Sequence, residues 1–173
     1  MNWTYKGKNI YSHEDLHLEC TDFVYELVFS DNTRYLGKKT VRSESILPAQ
    51  KKGIREGAER VFRHILRDDN GKIITSKAGR KQARKEGKKA IKEPFDRLVT
   101  DKPFTKYTGS SEENEGKTLV AKAILFQTSD KKTASYIEVA MLFENNVLFN
   151  TEFNNQNISG VWFDDSLKGL ITC

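Results

Sequence analysis

Two tyrosines and a lysine in one short segment are the residues of this chain best placed to do chemistry together. Tyr25 and Tyr35 lie in TDFVYELVFSDNTRYLGKKTVR, residues 21–42, and Gly37 and Lys39 follow them. If all four positions shared one face of a hairpin, two phenols and an ammonium would converge beside a glycine that leaves room for a ligand. Tyrosines that only pack a sheet are the alternative interpretation of the same pattern.

The length of the loop between the two strands decides whether the tyrosines share a face. The pattern predicts a β-hairpin with its turn at Asp31-Asn32. A two-residue loop would put Tyr25 and Tyr35 on opposite faces, because side chains alternate along each strand. A three-residue loop, 31–33, changes the pairing by one and brings both tyrosines to one face. We therefore predict a loop of odd length, or a bulge, with both phenol oxygens facing one cleft.

Three sets of residues occur in order along the chain. FVY, residues 23–25, is followed ten residues later by YLGKK, residues 35–39. FTKYTGSSEEN covers residues 104–114, and TASYIEVAMLFENNVLFN covers residues 133–150. Together they resemble the GIY-YIG nucleases, and residues 104–114 are similar to a segment of phage-borne, homing-type members. The resemblance implies a small antiparallel sheet flanked by helices and a metal-dependent DNA endonuclease.

The resemblance also implies roles for individual residues. Tyr25 would take part in activating a water, and Tyr35 would hydrogen-bond around the phosphate. Glu138 would hold one hydrated Mg²⁺, or Mn²⁺, since a single carboxylate suits a cation that keeps several waters. Asn150 stands at the family's asparagine position and is assigned to the DNA-binding residues. A plain surface carboxylate on a helix is the alternative interpretation of Glu138.

Two lysines after the hairpin bear on the chemistry of Tyr25. An unperturbed phenol has a pKa near ~10, so action as a base requires nearby cations that lower it. Lys38 and Lys39 are close enough in sequence to do so, and Lys39 is assigned to the catalytic residues. We therefore expect cations to lower the pKa of Tyr25.

The family also carries an arginine on a helix after the hairpin, often with a histidine one turn further on. Here the block between YLG and YTGSS is longer than in compact members, and two candidates remain open. Arg60 and His64, in ERVFRHIL, have the spacing that places both on one face of a helix. Arg42 lies closer to the hairpin and is the rival candidate.

A run of basic residues predicts a contact with nucleic acid. SKAGRKQARKEGKKAIK, residues 76–92, contains one acid, and steps of three and four residues place its cations on one helical face. Such a stripe repels itself unless a polyanion lies against it, which favours DNA as the partner. A solvated helix face or linker is the alternative. The residues assigned to DNA binding are Arg80, Lys81, Arg84, Lys85 and Lys88.

A second motif, HEDLH at residues 13–17, matches the His-Glu-x-x-His pattern of zinc proteases. That chemistry needs a stable helix and a third ligand, whereas a strand-like run follows at once. Ser12 with Asp15 more simply indicates a capping box that starts a short helix. A zinc hydrolase is therefore less favoured than a nuclease, or than a non-catalytic nucleic-acid-binding protein that retains the nuclease fold.

Length and composition bound these interpretations. A chain of 173 residues, 37% hydrophobic and 31% charged, predicts a single soluble globular domain, 1–173. No apolar run approaches the ~20 residues of a membrane span, and the first residues lack the apolar stretch of a secretory signal. Cys20 and Cys173 are too few for a disulfide framework and are interpreted as free thiols. We expect a cytoplasmic protein, in the host cytoplasm if phage-encoded, with no membrane partner.

The predicted strands would form one small sheet. The hairpin occupies residues 22–39, after an irregular polar lead over residues 1–20. KTLVAKAILFQ, residues 117–127, predicts a further strand, and short closing elements follow at 148–155 and 160–171.

The predicted helices would flank that sheet. PAQKKGIREGAERVFRHILRDDNGK, residues 48–72, and TASYIEVAMLFENNV, residues 133–147, both show helical spacing. The second helix would bury one face, formed by Tyr136, Val139, Ala140 and Phe143. The predicted fold is therefore α+β, a small antiparallel sheet flanked by helices with a basic helical insertion at about 43–106.

Overall fold

The architecture is dominated by β-sheet. A computed structural model describes residues 1–109, 111–160 and 162–163. Strands make up 39% and helices 18% of the structure. The predicted fold, a small antiparallel sheet flanked by helices with a basic helical insertion, is therefore wrong. The main sheet has five strands, one of its pairings is parallel, and the inserted segment forms a sheet of its own.

Within the described residues the chain forms ten strands and two α-helices. The strands are β1 (Trp3–Tyr5), β2 (Lys8–Ile10), β3 (Asp22–Phe29), β4 (Arg34–Thr40), β5 (Arg42–Pro48), β6 (Ala58–Ile65), β7 (Ile91–Asp101), β8 (Leu119–Thr128), β9 (Asn157–Ile158) and β10 (Trp162–Phe163). The helices are α1 (Lys77–Lys85) and α2 (Lys131–Glu144). Neither is long and apolar enough to span a membrane.

The chain divides into two compact units. The first unit comprises Met1–Ser43 with Asp101–Cys173, and the second comprises Glu44–Thr100. The second unit lies inside the segment 43–106 that the sequence marks as an insertion. The first unit contains the five-stranded sheet, in the order β2-β1-β8-β3-β4, and the second contains the three-stranded sheet, in the order β5-β7-β6.

The hairpin of β3 and β4 has the odd loop that the sequence predicts. The amide of Phe29 donates to the carbonyl of Thr33 at 2.9 Å, so the loop contains three residues, 30–32, one position earlier than expected. Asn32 adopts φ 65°, a conformation that asparagine tolerates and that a three-residue hairpin loop requires. Tyr25 consequently pairs with Gly37, and the predicted shared face of the two tyrosines is confirmed.

Aromatic side chains fill the core on that face of the main sheet. Trp3, Phe23, Tyr25, Phe29 and Phe104 are all at most 2% exposed. Trp3 belongs to β1, which pairs with β8, so the lead over residues 1–20 is not irregular as predicted. These large rings, buried together on one side of the sheet, form the main hydrophobic core of the unit.

Helix α2 packs on the other face of the same sheet. Asp130 caps its N-terminus by accepting hydrogen bonds from the amides of Lys132 and Thr133. The helix buries Ala134 and Leu142. Of the predicted inner face only Val139 packs against the core, because the side chains of Tyr136, Ala140 and Phe143 are exposed.

In the second unit, the helix predicted over residues 48–72 is wrong. Residues 58–65 form β6, which pairs antiparallel with β7 from Ala58 opposite Leu98 to Ile65 opposite Ile91. Val61 and Ile65 fit the spacing of a helix and equally the alternation of a strand, and the pairing with β7 decides between them.

The basic segment 76–92 is helical over only part of its length. The Ser76 side chain caps the start of α1, and Gly87, at φ 78°, lies just beyond its end. Lys88 lies beyond α1, and the segment then enters β7. The closing element predicted over residues 148–155 is wrong, because no strand or helix forms there and β9 begins just beyond it. Strand β10 lies within the element predicted over residues 160–171, of which 161 and 164–171 lie outside the described residues.

Candidate active site

The two hairpin tyrosines come together across a glycine. Tyr25 is buried on β3, and the centre of its ring lies 6.3 Å from that of Tyr35 on β4. A Cβ atom at Gly37 would lie 2.7 Å from the Tyr25 Oη and 3.0 Å from the Tyr35 Cε1. Only glycine at this position leaves room for both rings where they lie. Gly37, the last residue of YLG, is therefore a steric requirement of the tyrosine pair.

A third tyrosine completes the cluster. The Tyr25 hydroxyl donates a hydrogen bond to the Tyr107 hydroxyl at 3.3 Å. The Lys39 ammonium lies 3.9 Å from the centre of the Tyr107 ring, which is close enough for a cation–π contact. We did not assign a role to Tyr107 from the sequence, although it belongs to the segment FTKYTGSSEEN that carries part of the resemblance.

Buried side chains fix the loop that carries Tyr107. The Trp3 Nε1 donates to the carbonyl of Phe104 at 3.0 Å, and the Lys122 Nζ donates to the carbonyl of Thr105 at 2.8 Å. Lys122 is almost fully buried, and burial lowers the pKa of its ammonium. Two consecutive carbonyls are therefore held by the core of the sheet, which positions the third phenol.

The environment of Tyr25 opposes its ionisation. Burial, followed by the neighbouring Tyr107, raises the pKa of the Tyr25 phenol far above its ordinary value. Glu138 contributes in the same direction, which places its charge within electrostatic reach of the phenol. The expectation that lysines lower this pKa is therefore wrong. Tyr25 is a neutral phenol in the free protein, able to donate and accept hydrogen bonds.

Glu138 and Lys38 form an ion pair between α2 and β4. Lys38 and Lys39 point to opposite faces of the sheet, because side chains alternate along β4. Lys38 therefore reaches Glu138, while Lys39 reaches Tyr107. We singled out Lys39 from the sequence and left Lys38 unassigned, since alternation alone does not tell which face a helix will cover.

A groove of about 500 Å³ lies beside β4, the terminal strand of the main sheet. Tyr35 and Lys38 line it from β4, and Glu138 lines it from α2. Ser111 of the segment after Tyr107 also lines the groove. Phenol, ammonium, carboxylate and hydroxyl groups thus meet at one edge of the sheet, with Tyr25 behind Tyr35.

The terminal strand β4 is held in place by an asparagine that the sequence did not reveal. Asn155 accepts from the amide of Leu36 at 3.0 Å and donates to its carbonyl at 2.8 Å, so it satisfies both backbone groups. Asn150, assigned to DNA binding, has partners in the turn after α2. Its side chain accepts from the amide of Glu152 at 3.0 Å and donates to the carbonyl of Asn145 at 3.4 Å.

The donor set of the groove fits Mg²⁺ or Mn²⁺ better than a tightly chelated metal. Among the described residues that line it, Glu138 supplies the only carboxylate. A single carboxylate suits Mg²⁺, which keeps several waters and shares phosphate oxygens of its substrate. Elsewhere in the described part of the chain, no three His, Cys, Asp or Glu side chains gather as a metal-binding group.

The arginine candidates have structural partners. Arg42 donates to the carbonyls of His13, His17, Leu18 and Cys20 and pairs with Asp101. It therefore holds the N-terminal segment in place within the first unit. Arg60 belongs to the second unit and bonds the buried Asp96 at 2.8 Å. His64 is exposed on strand β6 of that unit, so the expectation that it shares a helix face with Arg60 is wrong.

The HEDLH segment forms a single 3₁₀ turn, His13–Asp15, with the predicted capping box of Ser12 and Asp15. His13 contacts the carbonyls of Val41 and Lys102 through its Nε2, at 3.2 and 3.0 Å. A turn of this length does not continue to His17, so the segment does not supply the helix that a zinc protease uses.

The basic residues of α1 in the second unit are exposed. Lys81, Arg84 and Lys85 are exposed along the helix, and the exposed Arg80 also borders a cavity with Phe95. Lys88, assigned with them, pairs with Asp69 at 2.8 Å outside the helix.

No protein-family model, curated protein or solved structure matches this chain.

Proposed function

We propose that this chain is a metal-dependent DNA endonuclease of the GIY-YIG type, which hydrolyses phosphodiester bonds with Mg²⁺ or Mn²⁺. The observation that carries the proposal is the arrangement at the edge of the main sheet. Tyr35, Lys38 and Glu138 line one groove there, and Tyr25 lies behind Tyr35. A module that only binds nucleic acid has no need to bring a carboxylate and two phenols to one place.

The protein groups suit the charges of the reaction. Hydrolysis of a phosphodiester builds negative charge on the phosphate oxygens, and preorganised donors stabilise that charge. Lys38 lines the groove and supplies a cation, and Tyr35 supplies a phenol. Tyr25, which burial keeps neutral, would orient the attacking water by hydrogen bonding and would not act as a phenolate.

Glu138 is the residue that would hold the metal ion, which when bound polarises phosphate and lowers the pKa of its waters. Its partner Lys38 satisfies the carboxylate in the free protein. With a divalent cation held by Glu138, Lys38 would be free to donate to the phosphate. The ion pair thus keeps both side chains in the groove before substrate arrives.

The second unit would supply the affinity for DNA. It contains 16 Lys and Arg against 8 Asp and Glu, whereas the first unit contains 13 against 16. A duplex carries a dense row of phosphates, so a surface with an excess of cations attracts it whatever its sequence. The exposed cations of α1 are the strongest concentration of this charge.

A non-catalytic nucleic-acid-binding protein is the second candidate function. The ion pair between Lys38 and Glu138 favours it, because a carboxylate neutralised by an ammonium attracts a metal ion less strongly. For either function we propose a cytoplasmic location, which agrees with the buried free thiol of Cys20.

Incubation of the purified chain with supercoiled plasmid separates the two candidates. We expect nicked or linear products with MgCl₂ or MnCl₂ and none with EDTA. Binding of the plasmid without cleavage in either metal would contradict the nuclease and support the binding protein.

A further inference from the structure

One face of the three-stranded sheet in the second unit carries an exposed aromatic ring beside cations. Phe62 lies on β6 with 60% of its surface exposed, and the exposed Pro94 stands opposite it on β7. Two residues further along, His64 pairs with Lys92. Because side chains alternate along a strand, both lie on the same face as Phe62. The Lys92 ammonium lies 5.2 Å from the centre of the Phe62 ring.

Two acidic residues of β7, Asp96 and Glu93, do not cancel that charge. Asp96 lies on the same face but is fully buried, and Arg60 and Arg55 both pair with it, at 2.8 and 3.4 Å. Two arginines against one carboxylate leave a net positive charge. Glu93 lies on the opposite face and pairs with Arg67 at 2.6 Å. An anion that approaches Phe62 therefore meets attraction on this face.

The surroundings of Phe62 decide what kind of partner it suits. A protein-docking site usually offers a contiguous apolar patch, whereas the neighbours of this ring are a proline, an imidazole and an ammonium. Aromatic rings among cations are the combination by which proteins bind single strands, since every base has a face that can stack and every nucleotide a phosphate. In a duplex the faces of the bases are covered by their neighbours.

We propose that this sheet face binds an unpaired base of a nucleic-acid strand, with Phe62 stacked on the base and Lys92 and His64 beside its phosphates. The inference rests on the proposed function and deepens it. Exposed cations on α1 contact duplex phosphates, whereas the sheet face selects DNA with an unpaired or flipped base. The substrate class is then DNA that contains a single-stranded or distorted position.

Fluorescence anisotropy with two labelled probes tests the inference. The full chain carrying Glu138→Gln, chosen to prevent cleavage, is titrated with a fluorescein-labelled single-stranded oligonucleotide and with the matched duplex. Phe62→Leu keeps an apolar side chain and removes the ring. We expect the Kd for the single strand to rise about tenfold, since stacking on one base contributes that much, and the Kd for the duplex to change less than about twofold.

A matched control is available in the first unit. Phe149 is 59% exposed there, so Phe149→Leu removes an equally exposed ring, and we expect both Kd values to stay unchanged. Phe62→Tyr retains a ring and should keep the affinity of the parent for the single strand. If Phe62→Tyr keeps this affinity while Phe62→Leu loses it, the loss is due to stacking and not to a general effect of substitution on the sheet.

The outcomes distinguish this inference from the function beneath it. Unchanged single-strand affinity in Phe62→Leu, with both probes bound by the parent, would overturn the inference alone. An equal loss of affinity for duplex and single strand in Phe62→Leu would also overturn the inference, because stacking on an unpaired base would not explain it. Failure of the parent to bind either probe would overturn the proposed nuclease together with the inference.

Discussion

The two units of this chain differ in what holds them together. The first unit buries a cluster of large rings, including Trp3, Phe23 and Phe104, and carries a small excess of acid. The second buries little beyond Leu66, Ala83 and Phe95 and places the carboxylate of Asp96 in its interior. An aromatic core can hold hydroxyl groups in fixed positions, whereas a small unit held by ion pairs can present many cations. On the proposed function, the first unit would carry out the chemistry and the second would attract the substrate.

Apart from the charge of Glu138, the hydroxyl of Tyr25 has the largest expected effect. Tyr25→Phe should lower the single-turnover cleavage rate about a thousandfold, because a group that orients the attacking water is lost. The free energy of unfolding should fall by only about 1–2 kcal/mol, since one buried hydrogen bond disappears. Quenched-flow cleavage and urea unfolding measure the two quantities.

Tyr107→Phe is the matched control, because it breaks the same hydrogen bond from the other side. We expect a similar loss of stability and a loss of rate below about tenfold. Equal losses of rate in the two variants would assign the effect to the hydrogen bond and not to Tyr25.

The steric requirement at Gly37 gives the next effect. In Gly37→Ala the new methyl group meets the Tyr25 Oη at 2.7 Å and the Tyr35 Cε1 at 3.0 Å, so at least one ring must move. We expect the cleavage rate to fall about a hundredfold and the stability to fall by about 1–3 kcal/mol. A variant that cleaves at the parental rate would show that the geometry of the pair is not needed.

A smaller effect follows from the charge of α1. Changing Lys77, Lys81, Arg84 and Lys85 to Gln removes four charges from the exposed surface of the helix. If three of them contact phosphates, the slope of log K against log salt should flatten by about 2–3 on duplex DNA, alike for all sequences. Anisotropy titrations at several salt concentrations give the slope.

The comparison between the units supplies the control for this variant. Lys6, Lys8, Lys131 and Lys132 are exposed on the first unit, and their replacement by Gln removes the same number of charges. We expect the slope to change by less than about 1. The same flattening in both variants would mean that the net charge matters and the position does not.

The smallest effect concerns the ion pairs of the second unit. Burial acts to raise the pKa of the Asp96 carboxyl, but hydrogen bonding and attraction from Arg60 outweigh it and hold the pKa below its usual value. A depressed folded pKa stabilises the fold above the unfolded pKa, near ~3.9, and the stabilisation is lost as pH falls through the folded value.

Asp96→Asn should therefore lower Tm by several degrees at pH 7, and the difference from the parent should shrink below about pH 4. Thermal unfolding followed by circular dichroism measures Tm, and hydrogen exchange of β7 assigns the loss to the second unit. A difference in Tm that stays constant into acid would contradict the role of this carboxylate.

The hairpin could be predicted from the sequence because its information is local. Asp31 accepts hydrogen bonds from the amide and hydroxyl of Thr33, and Asn32 takes the left-handed conformation, so neighbouring residues alone define the loop, which lies one position earlier than predicted. Loop length and alternation then place Tyr25 and Tyr35 on one face without knowledge of the rest of the chain.

The second unit could not be predicted in this way. The spacing of Val61 and Ile65 suits both a helix and a strand, and β6 forms because a distant segment, Ile91–Asp101, pairs with it. The contacts of Lys38 and Asn155 could not be predicted for a related reason. Their partners, Glu138 and Leu36, are about a hundred residues away in sequence, and no local pattern connects them.

The most direct measurement of the central claim compares cleavage with binding in Glu138→Gln, which keeps the size of the side chain and removes the charge that would hold the metal. We predict that Mg²⁺-dependent cleavage of supercoiled plasmid falls about a thousandfold or more, while the Kd for duplex DNA stays within about twofold of the parent. That result would separate chemistry in the first unit from attraction in the second. Cleavage by Glu138→Gln at the parental rate and ordinary Mg²⁺ concentration would contradict the account.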